Sequence, residues 1–130
     1  YGLIETDTKL TQSERLALII KKVAEVIKIY KPQLVALEKV FFSANVKTAL
    51  RVGEARGALL VLLQKNNLTI LEFTPPQVKL AVTGDGKADK KQIQKMLQFI
   101  FKNSEVIKSD DAADAAAIAL CALSRQTPEA

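Results

Sequence analysis

Apolar residues recur at helical spacing from Leu16 through Ile19, Ile20, Val23 and Ile27 to Tyr30, which predicts an amphipathic helix over about 12–30. Thr11-Gln12-Ser13-Glu14 precedes it with the hydroxyl-to-carboxylate spacing of a capping box, and Pro32 closes it. The period changes at Leu34-Val35-Ala36-Leu37, an unbroken apolar run that stops at Glu38. A run of that kind between breakers predicts a central strand buried on both faces. Asn45 is placed to cap a second long helix over about 46–65, which Asn66-Asn67 terminates, and residues 68–73 predict another strand. Thr74-Pro75-Pro76 leads into a short helix over about 77–83, and Gly84-Asp85-Gly86 makes a turn. Asp89 then caps a helix of about 90–101 with Ile93, Leu97 and Ile100/Phe101 on one side. An alanine-rich helix over about 110–125 begins at Ser109 or Asp110, and Tyr1–Thr6 reads as a short strand at the other end. Strands alternating with helices argue for an α/β layer fold with parallel neighbours, in one continuous domain spanning 1–130.

Composition narrows the chemistry. With 130 residues, 48% hydrophobic and 25% charged, the chain has the balance of one folded domain. The lone cysteine, Cys121, excludes a disulfide framework and a cysteine-rich zinc site within one chain. There is no histidine, which removes imidazole general-base chemistry and the Ser/His and Cys/His dyads. No apolar run approaches the roughly 18 residues of a membrane span, and no signal peptide stands out, so the expected setting is the cytoplasm. An enzyme built from this chain must work with carboxylates, lysines or hydroxyls.

Glu38 is the first candidate. It closes an apolar strand at its carboxyl end, the edge where open α/β sheets place ligands; the plainer reading is a strand-end glutamate turning into water. Asp111 and Asp114 are the second, three residues apart and so on one helix face that continues into Ile118 and Cys121/Ala122. Complementing the helix dipole accounts for Asp110 and Asp111 but poorly for Asp114, which lies a turn further in and is expected to face inward. One glutamate and two aspartates offer oxygen ligands only, and such a set selects Mg²⁺ or Mn²⁺ over zinc. Hard cations shared between carboxylates and a phosphate serve phosphodiester hydrolysis.

Charge distribution adds a substrate class. The net charge is +5, and residues 79–108 hold seven lysines against Asp85, Asp89 and Glu105. Nearly all the surplus therefore lies just before the acidic helix, where it can grip a phosphate backbone. Lys79, Lys90 and Lys91 are the candidates, against the plainer reading of a solvated helix face. Phe41 and Phe42 follow the Glu38 strand, and either could stack on a base or wedge into a disrupted pair. Gly53 and Gly57, four apart on the second helix, suit a tight helix–helix or dimer contact.

These residues resemble the RuvC family of Holliday-junction resolvases. The resemblance is carried by Ala36-Leu37-Glu38-Lys39-Val40-Phe41, Asn45, Gly53-Glu54-Ala55-Arg56-Gly57, Gln77-Val78-Lys79, the Gly84–Lys90 turn, and Asp111-Ala112-Ala113-Asp114-Ala115 followed by Ile118-Ala119. These blocks keep the family's order from about residue 12 to 123. The resemblance implies an RNase H-like fold, three layers (α/β/α) around a mixed central sheet, and a homodimer that cuts two symmetric strands of a four-way DNA junction with Mg²⁺. By position, Glu38, Asp111 and Asp114 match three of the family's four metal-binding carboxylates. Phe41 matches the junction-core aromatic, Lys79 and Lys90 match DNA-contacting lysines, and the 46–65 helix matches the dimerisation helix. Branch-migration proteins are the further partners implied.

The sequence departs from the family at its start. The fourth carboxylate belongs on an opening strand that the chain does not contain, Tyr1–Thr6 matches the family's third strand, and Asp7 is no equivalent. The expectation is an N-terminally incomplete chain that binds metal weakly and cuts poorly. The rival, from another class, is a non-catalytic RNase H-like module that binds nucleic acid or scaffolds a dimer. A small-molecule kinase or hydrolase is disfavoured, because Gly84-Asp85-Gly86 lacks phosphate-loop spacing.

Overall fold

In the computed structural model, the described residues are 1–39, 45–102 and 109–126. Among the described residues, helix and strand alternate up to β2 and three helices follow: α1 (Gln12–Tyr30), β1 (Leu34–Glu38), α2 (Val46–Lys65), β2 (Thr69–Phe73), α3 (Pro75–Thr83), α4 (Lys90–Phe101) and α5 (Asp110–Gln126). The strands pair side by side and run parallel. Gln33 accepts from the Thr69 N–H at 3.1 Å, and the Lys39 N–H donates to Phe73 at 2.8 Å.

Local chemistry sets the helix ends. Thr11 and Glu14 form the reciprocal capping box that the sequence predicts for α1, and Lys31 closes the helix in a left-handed conformation with φ 47°. Asn45 caps α2 through the Thr48 N–H. Thr74 and Gln77 make a second capping box, so α3 begins at Pro75, two residues before the expected start. Proline costs nothing there, since the first helical N–H has no partner within the helix. Gly84 ends α3 at φ 79°, a left-handed position that a side chain would strain. Asp89 and Gln92 cap α4 in the same reciprocal way.

The chain gathers into two compact units, one of Tyr1–Leu3, Ala36–Val40 and Leu71–Ala130, the other of Ile4–Val35 and Phe41–Ile70. In the first, α3, α4 and α5 pack on one another around Phe73 and Leu97, both fully buried, with Val78, Val82, Ala88, Ala113 and Ala117. The Arg125 guanidinium covers the Phe73 ring at 4.9 Å from its centroid. In the second, α1 packs along α2, and Leu63 is the buried anchor.

Three expectations change. Tyr1–Thr6 forms no strand, and Tyr1 and Leu3 are exposed; alternation makes a strand only where a neighbour completes the ladder. β1 is half-buried along Leu34–Leu37, not sealed on both faces. The far end of the α4 stripe also stays open. Ile100 and Phe101 are exposed while Leu97 is sealed.

Candidate active site

The first unit holds the candidate chemistry. β1 delivers Glu38 at its carboxyl end, exposed as a strand-end carboxylate should be. α5 delivers Asp110, Asp111 and Asp114 from its first two turns. α3 delivers Lys79, half-buried, and α4 opens with Lys90 and Lys91, both exposed.

Glu38, Lys79 and Asp114 line one pocket of about 100 Å³, with Val78, Ile93 and Ile118 as its apolar walls. This is the meeting of strand end and helix that the sequence predicts for Glu38 and Asp114. Asp111 does not line that pocket; it stands a turn earlier on α5, exposed. Among the described residues no group of three or more carboxylate, thiol or imidazole side chains gathers closely enough to hold a metal. The structure thus brings two of the three expected ligands together. Phe41 lies outside the described residues, as does its neighbour Phe42.

The orientation of α5 corrects one expectation. The face that packs inward carries Ala112, Ala113, Ala117, Cys121 and Ala122, all buried, whereas Asp111 and Asp114 are exposed. One-carbon side chains let the helix axis approach its neighbours, and the acids then fall on the flank of that contact. Cys121 donates to the Gln77 carbonyl at 3.8 Å, and burial pushes its thiol pKa up. It is a packed core thiol.

Electrostatics distinguish Asp114 from its neighbours. Partial burial raises its carboxyl pKa, Asp110 and Asp111 add to the rise, and Lys90 opposes it. Lys90 is held above its ordinary value, first by its hydrogen bond to Asp110 and further by the charges of Asp114 and Asp111. Nζ of Lys90 lies 2.6 Å from Oδ2 of Asp110. Sequence reasoning assigned Asp110 to the helix dipole and missed this pairing. The signal available was Lys90 and Gln94 at i, i+4, which presents two donors on one face, but no sequence pattern says which acid meets them.

The chemistry of this donor set fits a hard divalent cation. Two carboxylates at a small pocket meet the usual protein contribution to Mg²⁺, whose other ligands are waters and substrate phosphates. Asp114, crowded by two like charges, is the group such a cation would relieve.

A family model described as crossover junction endodeoxyribonuclease RuvC matches residues 1–122. The chain belongs to the RuvC family. A crossover junction endodeoxyribonuclease RuvC from Caldicellulosiruptor saccharolyticus is 49% identical over 121 residues, covering 93% of this chain and 73% of that protein. One from Thermosipho melanesiensis is 46% identical over 121 residues, covering 93% and 77%. Among solved structures, Thermus thermophilus RuvC superposes with a TM-score of 0.81 at 34% identity, over 91% of this chain and 71% of that one. The T. thermophilus RuvC in complex with a Holliday junction substrate superposes at 0.84 with 34% identity, over 90% and 71%. The RNase H-like class and the endonuclease class both stand with this membership. Among the described residues no helix is long and apolar enough to cross a membrane.

Proposed function

We propose that the chain is one RNase H-like nuclease domain that resolves four-way DNA junctions during recombination and repair, with Mg²⁺ or Mn²⁺ as cofactor, in the cytoplasm. The observation that carries this reading is the pocket shared by Glu38, Lys79 and Asp114 in a member of the RuvC family. Glu38 and Asp114, with Asp111 a turn earlier on α5, are the residues that would hold the cation. Bound there, a divalent cation supplies a nucleophile at neutral pH and charge stabilisation at phosphorus.

The chain's own side chains do the rest. Lys79 sits at the pocket wall, where its ammonium pairs with a phosphate oxygen close to the carboxylates. Lys90 and Lys91, at the exposed start of α4, extend that grip along the backbone. These contacts read phosphate positions, so recognition follows junction shape more than base sequence. Phe41, two residues past Lys39, is assigned to holding the crossover open.

A two-fold junction calls for two equivalent sites, and α2 is the proposed dimer helix. Val46, Leu50 and Val61 are exposed along it, and a Cβ added at Gly53 or Gly57 meets nothing within 4 Å. That stripe is open to a second copy. Branch-migration proteins are the further partners of this reading.

The experiment is cleavage of a labelled four-way junction by the intact protein with and without Mg²⁺, set beside a gel shift. Metal-dependent symmetric cuts support the nuclease; tight junction binding with no cut under any divalent ion supports the scaffold. One observation favours that second reading: no three-ligand group forms among the described residues.

A further inference from the structure

Asp110 opens α5, yet its carboxylate does not cap that helix. Ser109 does, its Oγ accepting from the Ala112 N–H at 3.4 Å. Asp110 turns instead toward α4, where Lys90 Nζ donates to Oδ2 at 2.6 Å and Gln94 Nε2 donates to Oδ1 at 3.2 Å. Lys90 and Gln94 share one face of α4 at i, i+4 spacing, so that face engages both oxygens of a single carboxylate.

Stability is a poor reason for this arrangement. The Lys90 and Asp110 side chains are 59% and 60% exposed, and ion pairs in that setting contribute little to folding. Dipole complementarity is a poor reason too, since Asp111 already places a charge in the same turn. What the contacts fix is a location. A lysine ammonium on its four-carbon stem samples many rotamers. Here it is held at the turn that presents Asp111, close enough to feel both Asp111 and Asp114. An ammonium has three donors and Asp110 occupies one, which leaves two for a phosphate.

We propose that Asp110 is a positioning residue of the junction nuclease, holding Lys90 beside Asp111 and Asp114 so that the ammonium is in place when a DNA phosphate arrives. This rests on the nuclease reading above. Without Asp110, Lys90 must be gathered from its free rotamers for each cleavage. Lys90 is one of several lysines on the backbone, so the loss falls chiefly on the rate at saturating junction and changes affinity little.

Single-turnover cleavage of a fluorescent four-way junction by the intact protein in Mg²⁺, over a range of protein concentrations, separates the saturated rate from half-saturation. Asp110→Ala and the isosteric Asp110→Asn are expected to lower the saturated rate about 3- to 10-fold, with half-saturation within about twofold. Asp110→Glu, which keeps the charge, restores part of the loss. In a Lys90→Ala background Asp110→Ala is expected to cost nothing further, as for two residues acting through one group. Thermal melts show that each variant is folded, and Asp110→Asn decides the question should the alanine variant not fold. Unchanged or faster cleavage by both variants overturns the proposal, as do losses that multiply in the Lys90→Ala background. A wild-type protein that never cuts overturns the nuclease reading along with it, whereas normal wild-type cutting with indifferent Asp110 variants overturns this inference alone.

Discussion

Glu38, at the end of β1, and Asp114, in the second turn of α5, face the same 100 Å³ pocket although most of the chain separates them in sequence. In the proposed nuclease reading, the two carboxylates together are the seat for the cation, next to Lys79. Glu38→Gln and Asp114→Asn are each expected to cut junction cleavage on the order of 100-fold or more while leaving the gel shift within about threefold. Cleavage kept within tenfold in either variant would remove that residue from the site.

Asp114 also predicts a pH signature. Its folded-state pKa is raised, so the folded chain holds the proton more tightly than the unfolded chain does, and the ionised form costs stability. That cost is absent below the ordinary value of 3.8, grows as pH rises through the raised value, and is complete above it. Asp114→Asn should therefore raise the melting temperature at pH 7, with the gain vanishing near pH 3. Mg²⁺ should raise the melting temperature of the wild type more than that of the variant. Scanning calorimetry at the two pH values, with and without the ion, checks all three statements.

Lys79 and Lys91 separate grip from chemistry. Each alanine variant is expected to weaken binding to junctions of unrelated sequence by a similar factor. Each should also flatten the slope of log affinity against log salt by about 0.9, the loss of one phosphate contact. Salt titrations followed by fluorescence anisotropy measure both. A sequence-dependent loss would mean that the lysine reads bases.

The α2 stripe gives a prediction about assembly. Gly57 has open space where a Cβ would go, so Gly57→Arg should leave the fold intact within the single chain. It should abolish a dimer formed through Val46, Leu50 and Gly57. Sedimentation velocity of the two proteins at equal concentration distinguishes one species from the other, with a melt to show that the variant is folded. An unaltered dimer would move the interface away from α2.

Phe73 anchors the unit that carries the site. Its ring is fully buried, with Arg125 across its face, and Phe73→Ala should cost about 3–5 kcal/mol in urea denaturation. Phe99, largely exposed on α4, should tolerate alanine within about 0.5 kcal/mol.

How much of this could be read beforehand follows from the range of the forces involved. The helices came through nearly residue for residue because their ends are written locally: Thr11 with Glu14, Asn45 with Thr48, Asp89 with Gln92. β1 and β2 were visible as apolar runs after Pro32 and before Pro75. Tyr1–Thr6 misled because a strand is completed by its neighbour, and periodicity does not report neighbours. In the site, the shared place of Glu38 and Asp114 was legible, since strand ends and helix starts converge in this class of fold. The outward turn of Asp111, and the place of Asp114 at an exposed pocket rim rather than in the helix's packed face, were not. That depended on which alanine stripe would win the interior, and five alanines among six positions leave hydrophobicity almost silent on the choice. The Asp110–Lys90 pair lay beyond reach for a different reason, as it joins two helices whose separation no spacing rule supplies.

The buried alanines on either side of Asp114 have a consequence for how such a nuclease can fail. Ala113 and Ala117 are sealed at 3% and 2% exposure, so an extra methyl at either pushes the helix itself outward. A displacement of that kind leaves every ionisable group intact and misaims it, and misplacement by an ångström can slow catalysis by about 100-fold. Drift at these small residues would thus weaken the fold by about 1–3 kcal/mol and leave the molecules that still fold stalled on their DNA.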